Sequence, residues 1–194
     1  MDKTLRNLPN ILTISRLFLV PVFVFLMIDP SEQMVLIATG IFVLASITDF
    51  FDGFIARKFK VVSDTGKLLD PLADKILVMA ALVMLVAQRS DIDGSPWVPE
   101  WMVVIILARE MWVTGLRGIA ASKGNILAAG AGGKWKSALQ MFAITCLLIH
   151  HPLMIAGIAI STKIIGINIL VLSIFFALWS AGEYTVVVMG GKIK

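Results

Sequence analysis

The chain has 194 residues, of which 58% are hydrophobic and only 15% charged, with a mean hydropathy of +0.91. Soluble domains carry about 45–50% apolar and about 25% charged residues, so an ordinary soluble domain is excluded and a membrane protein is expected. The net charge is +4, yet no common nucleic-acid-binding motif accompanies it; the excess suits anionic head groups and phosphorylated substrates, and no nucleic-acid partner is expected.

Residues 1–10 lack the basic start, apolar core and cleavage site of a signal peptide, so the first apolar segment is expected to be retained. Residues 1–7 read as a short surface segment ahead of it. Six segments of spanning size follow, over residues 10–28, 33–57, 70–88, 98–119, 134–151 and 164–189. A bilayer crossing takes about 20 residues at about 1.5 Å each. The expected fold is all-α, a polytopic membrane protein with six transmembrane helices in a single domain, 1–194. Pro21 is tolerable in a membrane helix.

Turn signals separate the segments. They are Asp29-Pro30-Ser31, residues 90–96, Gly124-Asn125, Gly130-Ala131-Gly132-Gly133 and His151-Pro152. Lys3, Arg6, Lys58, Lys60, Lys67, Lys123, Lys134, Lys136, Lys192 and Lys194 fall on one side, against Arg89 and Lys163 on the other. The positive-inside rule then puts both termini in the cytoplasm.

The chemistry is concentrated between the second and third segments. Asp49 and Asp52 are three residues apart, and Asp70 and Asp74 four apart, so each pair falls on one face of a helix. The second span is expected to end near Arg57 and the third to begin near Asp70, which with Pro71 has the pattern of a helix N-cap. Four carboxylates gathered in a medium of low dielectric need protons or cations. Hard oxygen donors suit Mg²⁺, Mn²⁺ or Ca²⁺, and a pair of such ions would clamp a diphosphate. Gly53 and Ala56 would let a nucleotide approach the backbone, and Arg57 could hold a phosphate with its fork. Asp74 lies furthest along its helix from the loop and is the candidate general base. Either acid pair alone could be a cap or a surface ion pair; four together at membrane ends are costly without a task.

The stretch DFFDGFIARKFKVVSDTGKLLDPLAD resembles the signature of the CDP-alcohol phosphotransferase family, D-x2-D-G-x2-A-R-x8-G-x3-D-x3-D. Its fixed positions are all present, as Asp49, Asp52, Gly53, Ala56, Arg57, Gly66, Asp70 and Asp74. At average frequencies the chance of this match is on the order of 10⁻¹⁰ per start position, which rules out coincidence. The resemblance implies a usually dimeric protein of six membrane helices with a di-metal site open to the cytoplasm. It implies that Asp49, Asp52, Asp70 and Asp74 surround the metals, that Asp74 is the base, and that Gly53, Ala56 and Arg57 meet the CDP moiety, with Gly66 in the same framework.

The acceptor must be read from the remaining polar residues. Arg109 and Arg117 lie on roughly one face of the fourth segment, with Glu110 and Thr114 between them, and Lys134 and Lys136 open the fifth. Arg109, Arg117, Thr114 and Lys134 would make a basic pocket for a phosphate monoester. Alternatively Arg109 pairs with Glu110 or an active-site aspartate, and the lysines snorkel. Pro9-Asn10-Ile11-Leu12-Thr13-Ile14-Ser15-Arg16, the Ala108-Arg109-Glu110 triplet with Arg117, and Gly133-Lys134-Trp135-Lys136-Ser137 are similar to bacterial members of the family that take sn-glycerol 3-phosphate. Ser137 stands where threonine is more usual. The similarity implies CDP-diacylglycerol and sn-glycerol 3-phosphate as substrates, phosphatidylglycerophosphate and CMP as products, and Asn10 and Thr13 beside the nucleotide. It also implies a multi-pass protein of the inner membrane.

Other residues carry less. Cys146 reads as helix packing. His150-His151 lacks further metal ligands, and Glu183 has no evident role. The five tryptophans and Tyr184 fit interfacial belts. Three rival readings stand beside the main one: a sibling enzyme with phosphatidylglycerol, serine or an inositol compound as acceptor, a prenyltransferase that releases pyrophosphate, and an ion-coupled transporter. The acids gather at one membrane edge without sequence repeats, which disfavours the transporter.

Overall fold

The computed structural model describes the backbone of residues 3–59, 64–89, 94–122, 131–149, 153–155 and 158–190, and the side chains of 14–48, 75–89, 94–122, 132–149 and 161–190. Among the described residues the elements are α1 (Lys3–Ile28), α2 (Glu32–Phe59), α3 (Asp64–Ala87), α4 (Glu100–Ser122), α5 (Ala131–Leu148), β1 (Leu153–Ile155), β2 (Ile158–Ile160) and α6 (Thr162–Met189). The six helices coincide with the six apolar segments.

Four details correct the sequence reading. Helix α1 already runs at Lys3, so most of the supposed surface segment is helical. Helix α3 begins at Asp64, which puts Asp70 and Pro71 inside it rather than at its cap. A proline there forfeits one backbone hydrogen bond, which a membrane-type helix can absorb. Gly132 and Gly133 belong to the first turn of α5 rather than to the loop. Between α5 and α6 the chain forms a short antiparallel ribbon, pairing Leu153 with Ile160 and Ile155 with Ile158. The all-α expectation omitted it. Its strands are rich in β-branched isoleucine and are separated in sequence by Ala156 and Gly157, a hairpin pattern.

The chain divides into two compact units. In the first (Met1–Leu85 with Leu148–His150), α1 packs on α2. The rings of Phe23 and Phe42 lie 6.3 Å apart at the contact, and Met27, Val35, Ala38 and Ala45 are buried. Thr39 donates to the Val35 carbonyl at 2.7 Å and Ser46 to that of Phe42 at 2.8 Å, so these hydroxyls are satisfied within their own helix.

In the second unit (Val86–Leu147 with His151–Lys194), α4 lies along α6. The buried residues of α4 recur every three or four positions from Met102 to Ala120, and those of α6 do the same from Gly166 to Val188, giving each helix a contact stripe. Helix α5 approaches α6 closely at Gly166: a Cβ there would lie 2.5 Å from Leu147 Cγ and 3.1 Å from the Ala143 carbonyl oxygen. The segment entering α4 turns at Gly94, whose φ of 65° is the left-handed region that glycine adopts without strain. Trp97 then donates its indole N–H to the Leu147 carbonyl at 2.8 Å, satisfying a group at the end of α5. Ser161 caps α6 by accepting from the Ile164 N–H.

Large apolar side chains line the outer surface as well as the interior, and several ionisable ones are buried. Arg16, Arg109, Glu110, Lys136 and Gln140 are buried, while Phe18, Phe25, Met111 and Met189 are largely exposed. Large apolar side chains facing outward, with ionisable ones inward, suit a hydrocarbon solvent. Among the described residues, α6 is the one helix long and apolar enough to cross a bilayer by itself, with a mean hydropathy of 2.3; the described apolar stretches Ile14–Ile28, Glu32–Thr48 and Lys75–Ala87 are shorter.

Candidate functional site

The backbone is helical at Asp49 and Asp52 in α2 and at Asp70 and Asp74 in α3. Each acid pair is therefore about one turn apart on its helix, as the spacing predicts. The side chains of these aspartates and of Ala56 and Arg57, together with Gly53, Gly66, Asn10 and Thr13, lie outside the described side chains. His150 and His151 lie outside the described residues altogether. As a donor set, four carboxylates on helical spacing fit a hard divalent cation and not a thiolate-loving one.

The second unit, taken by itself, holds a buried charged network. The side chain of Glu110 is 9% exposed, that of Arg109 6% and that of Lys136 9%. One carboxylate oxygen of Glu110, Oε1, accepts from Arg109 Nη1 at 2.7 Å and from Lys136 Nζ at 2.5 Å. Arg109 also donates through Nε to the Ala177 carbonyl at 3.0 Å and through Nη2 to Ser180 Oγ at 2.7 Å. The cluster thus ties α4 to both α5 and α6. Among the described residues, two cations thus meet at one carboxylate oxygen within an otherwise apolar stripe. Three of the five guanidinium N–H groups of Arg109 are committed to protein partners.

Arg117 stands two turns further along α4 and also faces α6. Its Nη2 donates to the Tyr184 hydroxyl at 3.1 Å, and its guanidinium carbon lies 5.3 Å from the centre of that ring. The Arg117 Nε is buried without a hydrogen-bond partner among the described residues.

Of the four acceptor candidates, Arg109 and Arg117 both meet α6 on one stripe. Thr114 turns its hydroxyl back to the Glu110 carbonyl at 2.7 Å. Lys134 is exposed, and the lysine that enters the network is Lys136. The alternative expectation, that Arg109 pairs with Glu110, is borne out; the sequence reading omits Lys136, Ser180 and Tyr184 from its candidate site. One available signal was the i, i+4 pair Lys136 and Gln140, a polar stripe in an otherwise apolar helix; both are buried. Tyr184, assigned to an interfacial belt, is 8% exposed and packed among Val113, Leu116, Ala181 and Val188. Trp101, Trp112, Trp135 and Trp179 are exposed, as belt residues would be. Glu183 accepts from the Trp179 indole at 2.9 Å, which gives that acid a partner.

The chain belongs to the CDP-alcohol phosphatidyltransferase family, which it matches over residues 6–179. The resemblance carried by residues 49–74 is thereby borne out. Among curated proteins, it is 37% identical over 191 residues to the CDP-diacylglycerol–glycerol-3-phosphate 3-phosphatidyltransferase of Bacillus subtilis, covering 92% of this chain and 93% of that protein. It is 43% identical over 143 residues to the protein of that name from Rickettsia bellii, covering 74% and 75%. It is also 36% identical over 188 residues to a cardiolipin synthase (CMP-forming) of Oryza sativa, covering 92% of this chain and 56% of that one.

Proposed function

We propose that this chain transfers the phosphatidyl group of CDP-diacylglycerol to sn-glycerol 3-phosphate, releasing CMP and forming phosphatidylglycerophosphate for phospholipid synthesis. The observation that carries the reading is the complete aspartate framework, Asp49, Asp52, Asp70 and Asp74, in a chain similar along almost its whole length to enzymes named for that reaction.

In this reading, Gly53, Ala56, Arg57 and Gly66, with Asn10 and Thr13, bind the CDP-lipid. The four aspartates hold divalent cations, Mg²⁺ or Mn²⁺, which supply charge neutralisation for the diphosphate when bound. Asp74 takes the proton from the 1-hydroxyl of the acceptor. The hydroxyl oxygen forms a bond to the phosphorus next to the diacylglycerol, the bond from that phosphorus to the bridging oxygen breaks, and CMP leaves with the electron pair. Arg117, Lys134 and Thr114 bind the acceptor phosphate, with Arg109 contributing its uncommitted N–H groups. Two arginines on one stripe of α4, Arg109 and Arg117, support an anionic acceptor over a neutral one.

The outward apolar faces and inward ionisable groups support six bilayer crossings, with both termini and the site at the cytoplasmic face of the inner membrane. A homodimer is the assembly that the family resemblance favours. The similarity to a rice protein named cardiolipin synthase (CMP-forming) favours a sibling activity as the second reading. Purified protein given CDP-diacylglycerol with glycerol 3-phosphate, phosphatidylglycerol, serine or inositol separates the readings. CMP release with glycerol 3-phosphate alone is the expected result; release with any other acceptor, and none with this one, would move the chain to a sibling activity.

A further inference from the structure

We propose that Tyr184 is a positioning residue, holding the Arg117 guanidinium in the orientation in which it binds the acceptor's phosphate. The inference rests on the phosphatidyl-transfer reading and assigns a residue that reading does not use.

The two arginines of α4 differ in how their donors are spent. Arg109 is anchored by a backbone carbonyl, a carboxylate and a hydroxyl, and its side chain is almost wholly buried. Among the described residues Arg117 makes one hydrogen bond, to Tyr184, and its Nε is a buried donor without a partner. A buried unpaired donor on a cation is costly in a helix contact that serves packing alone. It suits a guanidinium whose remaining N–H groups receive ligand oxygens, and a phosphate monoester offers several.

Tyr184 is built to orient that group. Its ring is held by Val113, Leu116, Ala120, Ala181 and Val188, so its hydroxyl is a fixed acceptor. The same ring contributes a hydrogen bond and a face-on cation contact, which restrain the long side chain of Arg117 in two directions. Restraint before binding reduces the ordering cost that an arginine on a flexible stem would otherwise meet. The bland alternative is that the pair merely fastens α4 to α6, in which case substrate affinity would not depend on it.

Full-length protein in mixed micelles, assayed for CMP release with each substrate varied in turn, distinguishes these. Tyr184→Phe keeps the ring and removes the hydroxyl. Its KM for glycerol 3-phosphate should rise about tenfold, with kcat and the KM for CDP-diacylglycerol within about twofold of the wild type. Arg117→Lys, which keeps the charge but loses the planar fork, should show the same acceptor-selective rise. An unchanged acceptor KM in either variant overturns the assignment. So does an equal rise in both KM values, or a Tyr184→Phe chain that no longer folds, since each makes the contact structural. Wild-type protein that releases no CMP with glycerol 3-phosphate overturns the underlying reaction, and this role with it, before any variant is made.

Discussion

Lys136 Nζ and Glu110 Oε1 lie 2.5 Å apart, joining α5 to α4 through a contact in which both side chains are 9% exposed. The same oxygen receives Arg109, so Glu110 is the one anion held between two cations. Its removal and the removal of either cation are therefore unequal changes. Glu110→Gln takes the carboxylate from both buried cations at once, whereas Lys136→Met leaves the Arg109–Glu110 pair.

The first prediction follows from that asymmetry. Glu110→Gln should destabilise the protein by about 3–5 kcal/mol, as breaking a buried ion pair does, and Lys136→Met by distinctly less. Thermal unfolding in a fixed detergent gives the order directly. Equal midpoints for the two variants would show that the shared carboxylate is not what balances the cluster.

A second prediction concerns close packing at Gly166. Replacing it by alanine puts a methyl group 2.5 Å from Leu147 Cγ and 2.9 Å from its Cδ2, with the Ala143 carbonyl oxygen at 3.1 Å. Leu147 is fully buried and cannot swing aside, so Gly166→Ala should cost about 1–3 kcal/mol. Adding Leu147→Ala should recover part of the helix contact by making room. Gly182→Ala is the control: a Cβ there meets nothing within 4 Å, and helix propensity predicts a gain of up to about 1 kcal/mol. Urea or thermal unfolding of the three variants checks the pattern, and a harmless Gly166→Ala would contradict the close approach of α5 and α6.

A third concerns Trp97, whose indole bonds the Leu147 carbonyl at 2.8 Å while Lys163 Nζ lies 4.6 Å from its ring centre. Trp97→Phe keeps an aromatic face for the lysine but loses the hydrogen bond, leaving a carbonyl at the end of α5 in need of a donor. A loss of about 1 kcal/mol in unfolding free energy is expected, with kcat unaltered. A lowered kcat at unchanged stability would instead give Trp97 a part in the reaction.

The fourth tests the proposed chemistry. Asp74→Asn removes the candidate base while preserving size, so turnover should fall by about 10²–10⁴-fold with binding of CDP-diacylglycerol largely kept. Chelation should abolish turnover of the wild type, and Mg²⁺ or Mn²⁺ should restore it. Turnover at the normal rate in the Asp74→Asn protein would take that residue out of the mechanism.

Much of this protein is legible in its sequence, for reasons that are local. The lengths of the apolar runs gave all six helices to within a few residues, apart from the extended starts of α1 and α3. The spacing of Asp49, Asp52, Gly53, Ala56, Arg57, Gly66, Asp70 and Asp74 identified the family. Both signals need only chain order and the geometry of one helix.

What the sequence could not supply was the rotation of each helix against its neighbours. Helix α6 is apolar almost all round, so no periodicity told which side would meet α4. Only packing decided that Ser180 and Tyr184 face the arginines, that Lys136 rather than Lys134 turns inward, and that Glu110 is shared between two cations. In a medium where every face of a helix may be apolar, hydrophobicity sets the number and length of helices, while buried hydrogen bonds and close fits such as Gly166 against Leu147 set their register.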